Sequence, residues 1–530
     1  MLTFDYITLR EFVNENREFL VGSRVQKIQQ PTRRDFLFSL RNLGESKKLY
    51  ININPSFYHI CFTTSENIEK RGIVYPKKPP MFCMLLRKYI ESAVIKDVRV
   101  PYYERILEID LKSSNEFDEN IDLTLAIEFM GKHSNIILYN QYTKIILGAG
   151  HNVGSEKSRE REISGTIPYI YPPKQDKKDI LRYTGELNYD YLNQEFLGIS
   201  KSFEEFFKGV SLEKIKDYVE GTAPISPAVE GDRYCVYGEL LSEPVFYSSV
   251  TEMVDEYYSH VQERSIVNGL KQQLATIYSA RYKKCSNSLK KINYQISKKD
   301  KAEVYKKYGD LILANMYQGE DYTKFINVVD WDTGENIKID LSEELTLKEN
   351  SQRYYKLYAK SKDSREKLES LSLALAQEKE YLEQVKYSID VCDDINGLKE
   401  ILQELDDSKS EVKKFDTDAV ESVNINGFVV YIGKNNRQND LIVSKISRGE
   451  DIWFHTQNTT GSHILLKVTD NREVDDATIY ECCKLAKKYS SASSSGKVGV
   501  IYTKRKYLKK PPASPLGYVT YKNEKEIVVE

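Results

Sequence analysis

The spacing of hydrophobic and polar positions changes several times along the chain, and each change marks a new kind of element. After a first helix, short alternating or apolar runs at 24–30, 36–40, 48–53 and 58–62 predict strands of an antiparallel meander. Pro79 and Pro80 interrupt this pattern, and 81–94 then carries Phe82, Leu85, Leu86, Tyr89 and Ala93 at helical spacing, a helix with one buried face. Strand-like runs return at 105–111, 121–129, 135–139 and 144–147. A first domain, 1–175, is therefore expected to be α+β with most strands paired locally. Its last part, from 150, is polar and holds Gly165, Pro168, Pro172 and Pro173, which reads as an exposed connector into a smaller helical unit at 176–254.

From 255 to 420 the period is that of long helices. Leu270, Leu274, Ile277 and Arg281, then Cys285, Leu289, Ile292 and Ile296, follow three- and four-residue steps. Leu368, Leu371, Leu375, Leu382, Val385 and Ile389 repeat them on a second arm. Between the arms, Gly309, Gly319, Trp331 and Gly334 accompany two short strand-like runs at 325–329 and 336–341. A long antiparallel helical hairpin with a structured tip is the economical reading. From 421 to 530 strands are expected at 428–432, 441–443, 451–455, 463–467, 498–502, 518–521 and 526–529. With a helix at 474–489 and a flexible serine-rich loop at 490–496, this makes a compact α/β unit.

Composition changes this picture less than position does. The 530 residues hold 77 Lys plus Arg against 79 Asp plus Glu, a formal charge of −2. Such a length implies several domains. A mean hydropathy of −0.53 and the lack of a long apolar run speak against a membrane protein. Asp5, Arg10 and Glu11 interrupt the apolar run that a secretory signal needs, so cytoplasm is the expected compartment. Seven scattered cysteines support neither a disulfide framework nor a zinc site. The 39 tyrosines are put down to biased codon usage rather than to an aromatic surface.

The near-zero charge conceals local excesses. From Arg281 to Lys307 ten basic residues face two acids, and Lys283, Lys284, Lys290, Lys291, Lys298 and Lys299 lie on this arm. From Gly496 to Pro512 there are six basic residues and no acid. A basic stripe on an extended hairpin suits phosphate backbones through counterion release; taken alone it equally suits a solvated coiled-coil face. Two basic stretches on different elements tilt the reading toward nucleic acid. Without a helix-turn-helix or zinc-finger spacing, shape-directed RNA binding is favoured over base readout of DNA.

The enzyme signatures tested are missing: no phosphate-cradling Gly-rich loop, no dinucleotide fingerprint, no nucleophile elbow. His455 and His463 flank a Gly461-Ser462 turn at a spacing that fits no common metal set, and the turn reads instead as a donor to an anion such as an RNA phosphate. Neither metal nor cofactor nor catalytic residue is expected. Glu104 and Arg105 are neighbours on an extended chain and point opposite ways; by spacing alone a surface ion pair is the commoner explanation.

Taken together, several segments resemble the NFACT family: Phe4-Asp5, VQKIQQP at 25–31, PPMFCMLLRKYIE at 79–91, Glu104-Arg105-Ile106, EFMGKHSNIIL at 128–138, ENSQRYY at 349–355 and DIWFHTQNTTGSHILL at 451–466. The resemblance covers essentially the whole chain. It implies an N-terminal domain like formamidopyrimidine-DNA glycosylase, a helix-hairpin-helix unit, a coiled-coil hairpin and a C-terminal α/β NFACT-R domain. It also implies a ribosome quality control factor that binds a large ribosomal subunit, rRNA and proteins, still carrying a stalled nascent chain as peptidyl-tRNA. Such a factor recruits aminoacyl-tRNA, tRNA-Ala in bacterial members, for template-free tailing, with bond formation left to the ribosome. Glycosylase chemistry is not implied, because that fold uses a proline after the initiator Met and Leu2 stands here.

By the same resemblance Asp5, Glu104, Arg105, Lys132, His133, Ser134 and Asn135 would face tRNA. The lysines of the basic arm would face rRNA, and Asp451, Trp453, His455, Gly461, Ser462 and His463 form the NFACT-R motif. The family pattern usually has Asp-Arg where this chain has Glu104-Arg105, which keeps the charge but moves the carboxylate. Two other classes compete: an adhesin for extracellular matrix such as fibronectin, after an older name in the family, and a duplex-DNA binder using the helix-hairpin-helix unit.

Overall fold

The computed structural model describes residues 4–101, 103–114, 120–154, 156, 161–297, 301–405, 420–469, 472–512 and 514–530. The protein is a multidomain α+β molecule that divides into two compact units, Met1–Ile266 and Val267–Glu530. Among the described residues no helix is long and apolar enough to cross a membrane.

In the first unit, helix α1 (Tyr6–Leu20) precedes strands β1 (Arg24–Gln29), β2 (Asp35–Asn42), β3 (Glu45–Asn52) and β4 (His59–Thr63). Helices α2 (Ser65–Lys70) and α3 (Met81–Ile90) follow, then β5 (Val94–Arg99), β6 (Ile106–Ser114), β7 (Asn120–Glu128), β8 (Asn135–Asn140) and β9 (Ile146–Ala149). The nine strands form one antiparallel sheet in the order β4-β3-β2-β1-β5-β6-β7-β8-β9, two meanders joined by the β1–β5 pair. That joining strand lies where the sequence pattern suggested the end of a helix. The helix stops at Ile90 because Ser92 takes a φ of 69°, and the Ala93 carbonyl accepts from Val25 N–H as the chain turns into β5.

The stretch expected as an exposed connector is exposed at Gly165, Pro168 and Pro173 but anchored at two other points. Ile163 and Tyr169 are buried against Ile106, Ala126 and Tyr139 of the sheet. The Arg161 guanidinium makes two bonds to the Glu128 carboxylate, 2.9 and 2.6 Å long, and Tyr169 OH donates to it at 2.9 Å. Short helices α4 (Leu192–Glu195), α5 (Lys201–Phe206) and α6 (Leu212–Glu220) come next. After them a small sheet of β10 (Ala228–Glu230), β11 (Arg233–Cys235) and β12 (Val245–Phe246) leads into helix α7 (Val250–Ser297), within which the division between units falls.

In the second unit, α7 runs antiparallel to α9 (Leu347–Val391). Lys271 meets Asp393, Tyr282 meets Glu383, Cys285 meets Leu375 and Asn293 meets Ser372, so positions on one arm rise as those on the other fall. Leu274, Cys285, Ile292, Leu382, Val385 and Ile389 are buried as their spacing requires, whereas Leu371 is exposed beside an exposed hydrogen bond from Ser372 to Asn293. At the tip, α8 (Ala302–Ala314) and the hairpin β13 (Phe325–Val329) and β14 (Asn336–Asp340) share a small core with Leu347 and Tyr354. The ENSQRYY segment holds this tip in place. Glu349 and Thr346 form a capping box, Asn350 Nδ2 donates to three carbonyls, and Tyr354 OH donates to Asp340 O at 2.6 Å.

Helix α10 (Ile395–Leu405) leads to the C-terminal sheet: β15 (Glu421–Ile425), β16 (Phe428–Ile432), β17 (Ile452–Thr456), β18 (Ile464–Leu466), β19 (Val498–Lys504) and, after the ribbon of β20 (Leu508–Lys509) with β21 (Thr520–Tyr521), β22 (Lys525–Val529). The order is β15-β16-β18-β17-β19-β22. Helix α12 (Asp476–Lys488) covers one face. Residues 441–443, expected as a strand, are helical: Asn435 caps α11 (Asn436–Leu441) by accepting from Gln438 N–H at 2.8 Å, and Leu441, Ile442 and Val443 bury themselves beside Trp453 on the other face. The serine loop is tied at its start, while 493–496 are exposed. Ser491 N–H donates to Thr460 O, and Tyr489 O accepts from Ser462 N–H, both at 2.9 Å.

Candidate nucleic-acid interface

In the first unit Asp5 and Arg105, a hundred residues apart in sequence, line one cavity of about 210 Å³ with Lys177, Asn193, Ser200 and Lys201. Asp5 is fixed twice over: it caps α1 by accepting from Thr8 N–H at 2.9 Å, and it accepts from Ser200 OH at 2.7 Å. Burial raises its carboxyl pKa, a shift opposed by those two bonds and by the Arg105 charge. Arg105 leaves the chain just before β6, and its Nη1 donates to Tyr58 OH at 2.9 Å, which holds the guanidinium in place. Lys177 has its ammonium pKa lowered by burial and by Arg105, so the cavity wall carries more positive charge than it neutralises internally. Glu104 does not line this cavity. Its carboxyl pKa is raised by burial, with Arg105 opposing and Glu128 adding to the shift.

Gly198 allows the cavity to form. Its φ of 75° is left-handed, and a Cβ there would stand 2.5 Å from the Tyr103 ring. Lys177 and Lys201 carry no sequence signal for this role; Ser200 caps α5, accepting from Phe203 N–H at 3.2 Å.

The Lys132–Asn135 segment divides by role. Lys132 and His133 are exposed on a single helical turn. Ser134 accepts from Met130 N–H at 2.9 Å, and buried Asn135 donates to His151 O at 2.8 Å while accepting from His151 N–H at 2.9 Å. The two polar residues therefore brace the turn. It stands at the Arg105 end of the sheet, because Phe129 N–H donates to Arg105 O at 2.9 Å.

On the hairpin, Lys283, Lys284, Lys290 and Lys291 are all exposed, and none pairs with an acid among the described residues. At about 100° per residue these four fall within an arc of roughly 120°, opposite Leu274, Cys285 and Ile292. Lys298 and Lys299 lie outside the described residues. The second basic stretch, unopposed in sequence, is opposed in space. Lys504 and Lys506 both reach Glu450 at 2.7 Å, Lys510 pairs with Asp440 and Lys497 with Glu530, and the Arg505 guanidinium is spent on the Val443 and Leu508 carbonyls. The two lysines hold the Glu450 carboxyl at about 2.

The C-terminal motif gathers around a cavity of about 550 Å³. Trp453 and His455, two apart on β17, stack at 5.7 Å with planes 3° apart, and His463 stands perpendicular to both. Gly461 is clamped by Gln384 of α9, which donates to its carbonyl at 2.8 Å and accepts from its N–H at 3.1 Å. A Cβ at this position would meet Ser490 at 2.9 Å. Ser462 is buried, its N–H tied to the Tyr489 carbonyl. Asp451 lies outside the cavity and has a bracing role, accepting from Lys467 at 2.7 Å and from the N–H groups of Arg448 and Val468. Burial holds both imidazoles neutral, His463 well below the ordinary value. Nothing in the sequence around Gln384 marks it as part of the site.

Two family models match this chain. One, NFACT N-terminal and middle domains, covers residues 5–227 and 222–415; the other, NFACT protein RNA binding domain, covers 415–523. The chain belongs to the NFACT family. It is similar to the protein named Rqc2 homolog RqcH of Bacillus subtilis (strain 168), 30% identical over 572 aligned positions that cover 100% of this chain and 98% of that one. The protein of the same name from Streptococcus suis (strain 05ZYH33) is 28% identical over 550 positions, with 100% and 98% covered. Among solved structures, the N-terminal part of the fibronectin/fibrinogen-binding protein from Streptococcus suis aligns with a TM-score of 0.44 and 27% identity, over 49% of this chain and 100% of that one. Trp453, His455, Gly461 and His463 thus fall within the match to the NFACT RNA-binding domain, and the lysine face falls within the 222–415 match to the N-terminal and middle domains.

Proposed function

We propose that this protein is a ribosome quality control factor. It binds a large ribosomal subunit obstructed by peptidyl-tRNA, recruits aminoacyl-tRNA, and promotes template-independent tailing of the stalled chain, with alanine as the added residue. The ribosome makes the peptide bonds, and the protein positions the tRNA as an elongation-like factor rather than an enzyme. The observation that carries this reading is the exposed lysine face of α7, unopposed among the described residues and directed away from the helix–helix seam, in an NFACT chain with its own RNA-binding domain.

In this reading rRNA lies along Lys283, Lys284, Lys290 and Lys291. A tRNA phosphate enters the cavity of Arg105, Lys177 and Lys201, where an anion offsets the burial and the Arg105 repulsion that depress Lys177. Lys132 and His133 add contacts from the neighbouring turn, while Asp5, Ser134 and Asn135 keep the groups in place. Functional domains run 1–175, 176–254, 255–420 and 421–530, the first glycosylase-like and the second a helix-hairpin-helix unit. Purification of the tagged protein from cells, with sequencing of bound RNA, tests the reading. Large-subunit rRNA and one tRNA species, tRNA-Ala, should be enriched over small-subunit rRNA. Equal recovery of both subunits' rRNA, or of neither, overturns it.

A further inference from the structure

We propose that the cavity of the RNA-binding domain captures a single purine base unstacked from RNA. The inference rests on the RNA-contacting role proposed above and assigns that domain a ligand. At about 550 Å³ the cavity is within the size range of sites that hold small ligands. Its walls offer flat surfaces: Trp453 and His455 are parallel, His463 is perpendicular to them, and Tyr521 lies 5.9 Å from the Trp453 ring. Single-stranded RNA is bound by such platforms, on which bases stack.

The polar groups on these walls point to a ligand. Trp453 is 2% exposed and His463 5%, yet Trp453 Nε1 and His463 Nδ1 have no hydrogen-bond partner among the described residues, and neither do Thr456 Oγ1 and Thr459 Oγ1. Buried polar atoms are satisfied in most native structures, and an indole N–H can be satisfied only by an acceptor. A neutral His463 provides one donor and one acceptor. Glu380 and Glu383 of α9 also line the cavity; Glu383 is engaged with Tyr282 OH and Lys379, which leaves the exposed Glu380 carboxylate to accept a hydrogen bond and repel a free phosphate. A purine meets these, offering wider ring faces than a pyrimidine to His455 and Tyr521, a ring-nitrogen acceptor for the Trp453 N–H and N–H donors for Glu380. The Gln384 clamp on Gly461 fixes the backbone beneath, so the walls are formed before the base arrives.

The chain has two tryptophans, so replacing Trp331 by Phe leaves a single indole N–H resonance, that of Trp453. Trp331 lies on the exposed tip of the hairpin, away from this cavity, and the substitution keeps the aromatic ring. The full-length ¹⁵N-labelled Trp331→Phe protein is titrated with adenosine and guanosine, and with cytidine and uridine for comparison. The expected result is a saturable shift of the indole resonance with both purine nucleosides, at least threefold weaker with the pyrimidines. A Tyr521→Ala exchange, at a residue 39% exposed, should weaken the purine affinity at least threefold. A resonance that stays in place with both purines, or a shift equal for all four nucleosides and unaffected by Tyr521→Ala, overturns the proposal. Co-sedimentation of the same protein with large subunits, run in parallel, separates the cases. A silent resonance with intact co-sedimentation defeats the purine site alone, and loss of co-sedimentation defeats the ribosomal reading.

Discussion

Replacing Lys283, Lys284, Lys290 and Lys291 together by Ala removes the charged face of α7 and leaves its packed face untouched, because the buried Cys285 and Ile292 lie on the other side of the helix. Exposed helix positions tolerate Ala, so folding stability should change by no more than about 0.5 kcal/mol per site. The binding effect is far larger. From Lys283 to Lys291 the helix rises about 12 Å, at ~1.5 Å per residue, so all four ammonium groups reach one short run of phosphates. Each contact contributes about 0.9 to the slope of log affinity against log salt, so four contacts contribute between about 3 and 4. At about 0.15 M salt that slope corresponds to a loss of about a thousandfold in affinity, or about 4 kcal/mol. The assay is sedimentation with purified large subunits over a salt series, scored against the unmodified protein. A quadruple variant that keeps its affinity within about threefold, with a slope unchanged within about one unit, refutes the assignment of this face to rRNA.

Three further outcomes follow from other parts of the molecule. Arg105→Ala should leave large-subunit association intact while tRNA recovered with the protein falls, since only the cavity loses its fixed cation; equal loss of both would show a folding defect instead. Gly198→Ala should lower stability by more than about 1 kcal/mol in thermal melts, because it combines a left-handed φ with a methyl group pressed against Tyr103. His463 is held neutral by burial in the native state, whereas the unfolded chain binds its proton from about pH 6.5 downward. Its contribution to stability is therefore full above pH ~6.5 and is lost as pH falls toward the depressed native value, with a slope of up to about 1.4 kcal/mol per pH unit. Urea unfolding at several pH values should show a shallower acid loss in His463→Gln, and an identical pH dependence in the variant contradicts the burial argument.

The parts legible in the sequence were those with a period. Strand alternation located both meanders of the first sheet, and three- and four-residue steps located α7 and α9. The seven-residue spacing that places Lys283 over Lys290 and Lys284 over Lys291 was present as well. Strand β5 was missed because the helical spacing of α3 ran on into it, and Ser92, a residue type with no special claim on a left-handed φ, broke the helix. Strand β15 had a signal, the Asn426-Gly427 turn with φ of 50° and 83°, which joins it to β16 in a two-residue hairpin. Charge was read well along a helix and poorly across a sheet. On α7 the neighbours of a lysine are near it in sequence, whereas Lys504, Lys506 and Lys510 find Glu450 and Asp440 more than fifty residues away. For the same reason Lys177, Lys201 and Gln384 could not be foreseen: their partners come from distant segments, and no local pattern marks them.

The most direct measurement uses cells making a reporter from a message without a stop codon, with and without this protein, and reads the C-terminus of the stalled product by mass spectrometry. The expected result is a heterogeneous tail of alanine that disappears when the protein is absent and is sharply reduced in Arg105→Ala. A tail of unchanged length and composition in its absence, or no tail in its presence, contradicts the assignment to template-independent elongation.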